Sequence, residues 1–180
     1  MFAFIRSVLF VLIMAITVMV WATATVLCFF LPVRVRYAVA SSWPRLMLQV
    51  GRWLCGMRWQ ETGTENLPDG PAIVLGKHQS TWETFFLLCH MPRPAAFVFK
   101  RELLFLPFFG WAIGMLDMMH IDRRHGRRAF EYIVKKAGKQ LHDYGRWIVM
   151  FPEGTRSPPG KQQVYKSGGA RLALKNDTPI

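Results

Sequence analysis

The sequence predicts an α/β fold, a mixed sheet flanked by helices, preceded by an N-terminal membrane-anchoring helix pair. Three observations carry that expectation. Short apolar runs at residues 72–75, 95–99 and 147–151 alternate with segments of helical spacing, the pattern of strands joined through helices. No charged residue occurs in residues 8–31, a run long enough to cross a hydrocarbon core of roughly 30 Å. The positive charge, 23 Lys plus Arg against 11 Asp plus Glu, begins to accumulate directly after that run.

Residues 4–30 read as one helix stopped by Pro32. Arg34 and Arg36 follow it where a cleaved leader would carry small residues, so the helix is expected to remain as an anchor. Arg45, Arg52 and Arg58 also precede the first acidic residue, Glu61. Such a cluster is drawn to the anionic cytoplasmic leaflet by roughly 1 kcal/mol per charge, which places the body on the cytoplasmic side of the inner membrane. These arginines are interleaved with Trp43, Leu46, Leu48, Trp53 and Leu54, so residues 42–55 suit an interfacial amphipathic helix better than a nucleic-acid surface, and no nucleic acid is expected as a partner. Residues 1–56 thus form the anchoring pair, and residues 57–180 the α/β domain. Cys28, Cys55 and Cys89 lie far apart without metal or redox spacing and are expected to be reduced.

Within the α/β domain, residues 57–62 are expected as a strand, followed by a dense turn signal at 66–71. A strand at 72–75 ends at Gly76, and a helix covers 81–90. Residues 103–119 are apolar apart from Asp117 but broken by Pro107, Gly110 and Gly114, which suits a bent buried helix or the wall of an apolar groove. A stripe of Phe130, Ile133, Val134, Ala137 and Leu141 predicts a core-facing helix over 127–144. A strand at 147–151 and a helix at 169–175 follow. Thr178-Pro179-Ile180 resembles the entry to a further strand, so the C-terminus reads as truncated.

Two stretches carry chemistry. His78 stands at a strand-to-helix turn, where a polar side chain can face a crevice from a rigid backbone. Ser80 and Glu83 fit a capping box, in which Glu83 reaches back to the N–H of the cap. The same carboxylate can orient the His78 ring and stabilise the imidazolium. The second stretch is Phe151-Pro152-Glu153-Gly154-Thr155-Arg156-Ser157, also directly after a strand. Gly154 permits close backbone approach and Arg156 offers a planar fork to phosphate oxygens; a surface turn with Glu153 paired to Arg156 is the bland alternative.

In order, His78 with Glu83, Lys100-Arg101-Glu102-Leu103 with Pro107-Phe108-Phe109-Gly110, Ile121-Asp122-Arg123, and Phe151 to Ser157 resemble the characteristic blocks of the 1-acyl-sn-glycerol-3-phosphate acyltransferases. The resemblance covers residues 57–180, and the helix pair looks like that of bacterial members. It implies a glycerolipid acyltransferase-like fold and transfer of an acyl group from a thioester of coenzyme A or acyl carrier protein to a lysophosphatidate hydroxyl, giving phosphatidate. It implies His78 as the base and Glu83 as its orienter. Arg156, Lys100, Arg101 and Arg123 would hold the acceptor phosphate, with Glu153, Gly154 and Thr155 shaping its pocket. The family's usual block is His, four residues, Asp, whereas this chain has Glu83. No metal and no permanently bound cofactor are expected; the thioester is a co-substrate, and membrane lipid is the partner. Transfer to another lysolipid, a lipid thioesterase and a non-enzymatic anionic-lipid binder are the competing readings. His90 reads as a helix-dipole partner, and Asp117, His120, His125 and His142 as structural or solvated.

Overall fold

A computed structural model describes residues 1–122, 124 and 126–180, with Arg127 described by its backbone alone. Along the chain come helices α1 (Phe2–Leu27) and α2 (Val33–Cys55), strand β1 (Ile73–Leu75), helix α3 (Trp82–His90), strand β2 (Ala95–Lys100), helix α4 (Phe109–Gly114), strand β3 (Met119–Ile121), helix α5 (Gly126–Gly138), strand β4 (Trp147–Met150) and helix α6 (Gly168–Asn176). They form two compact units, residues 1–67 with 104–117, and residues 68–103 with 118–180.

In the first unit α1 and α2 pack antiparallel. The Trp21 indole donates to Ser42 Oγ at 2.8 Å and the Trp43 indole to Thr17 Oγ1 at 3.0 Å, so apolar surfaces meet with their polar tips satisfied. Gly51 allows the close approach of Phe10 and Met57, which a methyl group would obstruct. The second helix begins at Val33, nine residues before the expected start at 42, and carries Pro44 inside it. Pro44 removes one backbone donor, and the hydroxyls of Ser41 and Ser42 donate to the carbonyls of Ala38 and Val39 around the interrupted turn. Much of α1 remains exposed although apolar, with a mean hydropathy of 2.5; among the described helices it alone is long and apolar enough to cross a membrane. The strand expected over residues 57–62 is irregular chain. Arg58, Gln60, Glu61 and Thr62 are exposed there, and the four strands all belong to the other unit, leaving this segment without a ladder. Residues 104–117, with α4, pack into this unit beside α1.

In the second unit the strands lie in the order β1-β4-β2-β3. Every pairing is parallel, with Ile73 opposite Ile148, Ala96 opposite Ile148, and Val98 opposite Met119. The mixed sheet is therefore corrected to a parallel one among the described residues. A parallel sheet must be covered on both faces, which explains why its central strand reads Trp147-Ile148-Val149 without alternation, all three at most 1 % exposed. One face packs on Ile133, Ala137 and Leu141, together with Leu172 and Ala173 of α6. The expected helix over 127–144 is α5 followed by a wide π-type turn, Lys139–Asp143. Strand β3 was hidden in the sequence behind the broken apolar block before it.

This topology positions the site. Strands β1 and β4 are neighbours, so the loops leaving their carboxyl ends emerge side by side although far apart in sequence.

Candidate active site

The turn after β1 is held from both sides. Gly76 N–H donates to Met150 O at 3.0 Å, extending the β1–β4 ladder by one step. Beyond it, the loop after β4 takes hold of His78: Ser157 donates to the His78 carbonyl through its backbone N–H at 2.8 Å and its hydroxyl at 3.2 Å. The His78 N–H in turn donates to Glu153 Oε2 at 3.2 Å. Glu153 is only 3 % exposed, and its other oxygen lies 3.7 Å from Lys77 Nζ. A buried carboxylate is costly unless its charge is met, and here a backbone donor and a nearby ammonium meet it. The His78 ring lies flat on Phe151, with centroids 4.0 Å apart and planes 13° from parallel.

Glu83 fixes the ring's other degree of freedom. Its Oε1 lies 2.8 Å from His78 Nδ1 and accepts the backbone N–H groups of Gln79 and Ser80, each at 2.8 Å. Ser80 Oγ donates to Oε2 and accepts from the Trp82 N–H. The capping interaction and the orientation of the imidazole are thus made by one carboxylate, not by competing arrangements. Burial pushes the Glu83 carboxyl pKa up, but the hydrogen bonds from Ser80, first among the opposing effects, and from His78 outweigh it and leave it below its ordinary value. An ionised Glu83 accepts from Nδ1–H, which leaves the Nε2 lone pair as the ring's acceptor.

Arg156 comes to the same turn. Its Nε donates to Ser80 O at 3.2 Å and its Nη2 to Thr81 Oγ1 at 3.0 Å. The guanidinium is exposed, so one edge bolts the turn while the rest faces solvent. It does not pair with Glu153, which is turned inward. Gly154 adopts φ 71°, a left-handed conformation that a side chain would strain, and Thr155 is exposed beside it. An arrangement of this kind can hold an anion beside the imidazole that Glu83 orients.

The family model described as Acyltransferase matches residues 58–180. A 1-acyl-sn-glycerol-3-phosphate acyltransferase of Pseudomonas aeruginosa is 41 % identical over 98 % of this chain and 68 % of its own length. The chain belongs to the 1-acyl-sn-glycerol-3-phosphate acyltransferases. A member from Borreliella burgdorferi is 32 % identical over 76 % of this chain, which spans 54 % of that relative. The crystal structure of the 1-acyl-sn-glycerophosphate acyltransferase of Thermotoga maritima shares the fold, with a TM-score of 0.72 at 23 % identity, covering 98 % of this chain and 72 % of that one.

For this acyltransferase the structure brings His78, Glu83, Glu153, Gly154, Thr155 and Arg156 into two touching loops. Lys100 and Arg101 stand elsewhere on the same edge of the sheet, at the end of β2, and Arg101 Nη1 pairs with Asp122 Oδ2 at 3.1 Å. Arg123, expected among the phosphate ligands, and His125 lie outside the described residues. Sequence reasoning did not find Phe151 as the surface under the imidazole, Ser157 as the clamp on its backbone, or Lys77 as the neighbour of Glu153. Phe151 and Ser157 are the two ends of the second motif and Lys77 directly precedes His78, which was the available signal.

Proposed function

We propose that this acyltransferase moves an acyl group from a thioester, of coenzyme A or acyl carrier protein, to the free hydroxyl of 1-acyl-sn-glycerol-3-phosphate. The observation that carries the reading is the bonding of Arg156 to the turn that presents His78 and Glu83. A lysophosphatidate has its phosphate only a few bonds from its free hydroxyl, so a phosphate-binding cation and a base must stand this close together.

The acceptor hydroxyl hydrogen-bonds to His78 Nε2, and its oxygen attacks the thioester carbonyl as the proton passes to the ring. General-base assistance of this kind contributes typically ~10²- to 10⁴-fold. Glu83 holds the Nδ1–H and stabilises the imidazolium. Collapse of the tetrahedral adduct breaks the carbon–sulfur bond, the thiolate takes the proton from His78, and phosphatidate and free thiol leave. Arg156 anchors the acceptor phosphate with the N–H groups that the turn does not use, and Gly154 and Thr155 form the wall beside it. Glu153 shapes this pocket from behind by holding the His78 backbone. The apolar α1 and the arginines that follow it support residence at the inner membrane with the site on the cytoplasmic side.

The test is product analysis by mass spectrometry after purified protein in lipid bilayers is offered coenzyme A and carrier-protein thioesters with a panel of lysolipids. Phosphatidate formed from lysophosphatidate, and lost in His78→Ala, supports the reading. Rapid thioester hydrolysis indifferent to added lysophosphatidate would replace it with a thioesterase.

A further inference from the structure

The carboxyl edge of the sheet is a row of four strand ends, and the loops that hold His78 use only the first two, β1 and β4. The far end of the row, at β3, opens into a cleft of about 220 Å³ lined by Arg101, His120, Asp122, Arg128, Ala129 and Tyr132. Asp122 lies 3.1 Å from Arg101 Nη1 and 3.4 Å from Arg124 Nε, so one carboxylate serves two guanidiniums. Arg128, exposed in the first turns of α5, adds a third. The described charges of the cleft are thus in positive excess. Between them stand aromatic rings: His120 and Tyr132 have centroids 5.5 Å apart at 43°, and Phe99 lies 6.4 Å from His120. Burial, then Lys136 and Arg101, hold the His120 imidazole below its ordinary pKa, so at neutral pH it is an uncharged flat surface.

Guanidinium forks beside aromatic faces are the pairing that recognises a nucleotide, phosphates by the former and base by the latter. Distance decides which substrate the phosphates belong to. Three strand spacings separate β1 from β3, roughly 14 Å. The phosphate of a lysophosphatidate reacting at His78 cannot reach that far. A coenzyme A thioester can, because a long pantetheine arm separates its reacting carbonyl from its phosphorylated adenosine.

We propose that the Arg101–Arg128–Tyr132 cleft binds the adenosine 3′,5′-bisphosphate portion of acyl-coenzyme A while the thioester lies at His78. The proposal rests on the acyltransferase reading and reassigns Arg101 from the acceptor to the donor. It is tested with the full chain in lipid nanodiscs by calorimetric titration with adenosine 3′,5′-bisphosphate. Saturable binding is expected, weakened roughly tenfold by Arg128→Gln through the loss of one charge-assisted hydrogen bond. Tyr132→Leu, at an exposed position, should weaken it through the base instead. In steady-state assays Arg128→Gln should raise the KM for acyl-coenzyme A and leave that for lysophosphatidate unchanged. Bisphosphate binding indifferent to both substitutions overturns the proposal, as does a rise in the lysophosphatidate KM alone, or transfer from carrier-protein thioesters with none from coenzyme A. Failure of every thioester to support transfer would instead retire the acyltransferase reading, and the titration would still decide the cleft.

Discussion

A single carboxylate oxygen, Glu83 Oε1, meets three N–H groups, from the His78 ring and from the backbones of Gln79 and Ser80. Charge and geometry are therefore separable by substitution. Glu83→Asp keeps the charge and should retain most activity. Glu83→Gln loses it and can present an N–H to the ring, and a wrong-tautomer effect of at least about a hundredfold in kcat is expected by analogy with triad carboxylates. For His78→Ala the expected loss is about 10²- to 10⁴-fold in kcat, with lysophosphatidate still binding in a vesicle or detergent titration. The lowered Glu83 pKa also carries a sign for stability. Its contribution is complete above the ordinary carboxylate range and is lost as pH falls through the folded value, so acid melts of Glu83→Gln should be flatter than those of the parent. His120 acts at higher pH. Its lowered pKa means that the unfolded chain binds the proton more readily, so its contribution is present above about 6.5 and declines as pH drops below that. A His120→Gln variant should lose less melting temperature than the parent between neutral and mildly acidic pH.

At the scale of elements, the His78–Glu83 turn was legible because both its residues lie within one local signal, an apolar run followed by a capping pattern. The buttress was not. Ser157 is 79 positions from the carbonyl it holds, and no local pattern announces a partner at that distance. Strand β3 escaped because three residues beside a Gly- and Pro-broken apolar block give no periodicity to read. The strand expected over residues 57–62 failed for the opposite reason: its composition suits a strand, but a strand exists only where another supplies a ladder. Helix α2 begins nine residues before its expected start and holds Pro44 inside it, with the Ser41 and Ser42 hydroxyls donating to the carbonyls of Ala38 and Val39 in the preceding turn. One element contact gives a direct prediction. A side chain at Gly169 would run into Leu75, so α6 sits on β1 only because that position lacks a Cβ. Gly169→Val should cost about 1–3 kcal/mol in urea unfolding, the usual penalty of overpacking; a neutral result would show that Leu75 can rotate away freely.

For the whole molecule, the charge of +12 and the exposed apolar surface of α1 are the two features that would draw it to an anionic lipid surface. Their salt dependences differ. Electrostatic attraction to anionic vesicles is screened as the Debye length shrinks from about 8 Å at physiological ionic strength to 3 Å at 1 M, whereas burial of α1 is not. Cosedimentation with vesicles rich in anionic lipid should fall with added salt to a plateau, and the plateau should vanish when the apolar face of α1 is made polar. Binding abolished by salt alone would assign the attachment to the arginines.

The clasp between the loop at His78 and the loop at Ser157 also has a temporal side. During synthesis the imidazole and its carboxylate leave the ribosome long before β4 and the chain that follows it, and a parallel β1–β4 pair closes only after that long stretch has been made. A nascent chain halted at Met150 thus holds His78 and Glu83 without Glu153 and Ser157, and the turn can be braced from both sides only after the loop beyond β4 has been made.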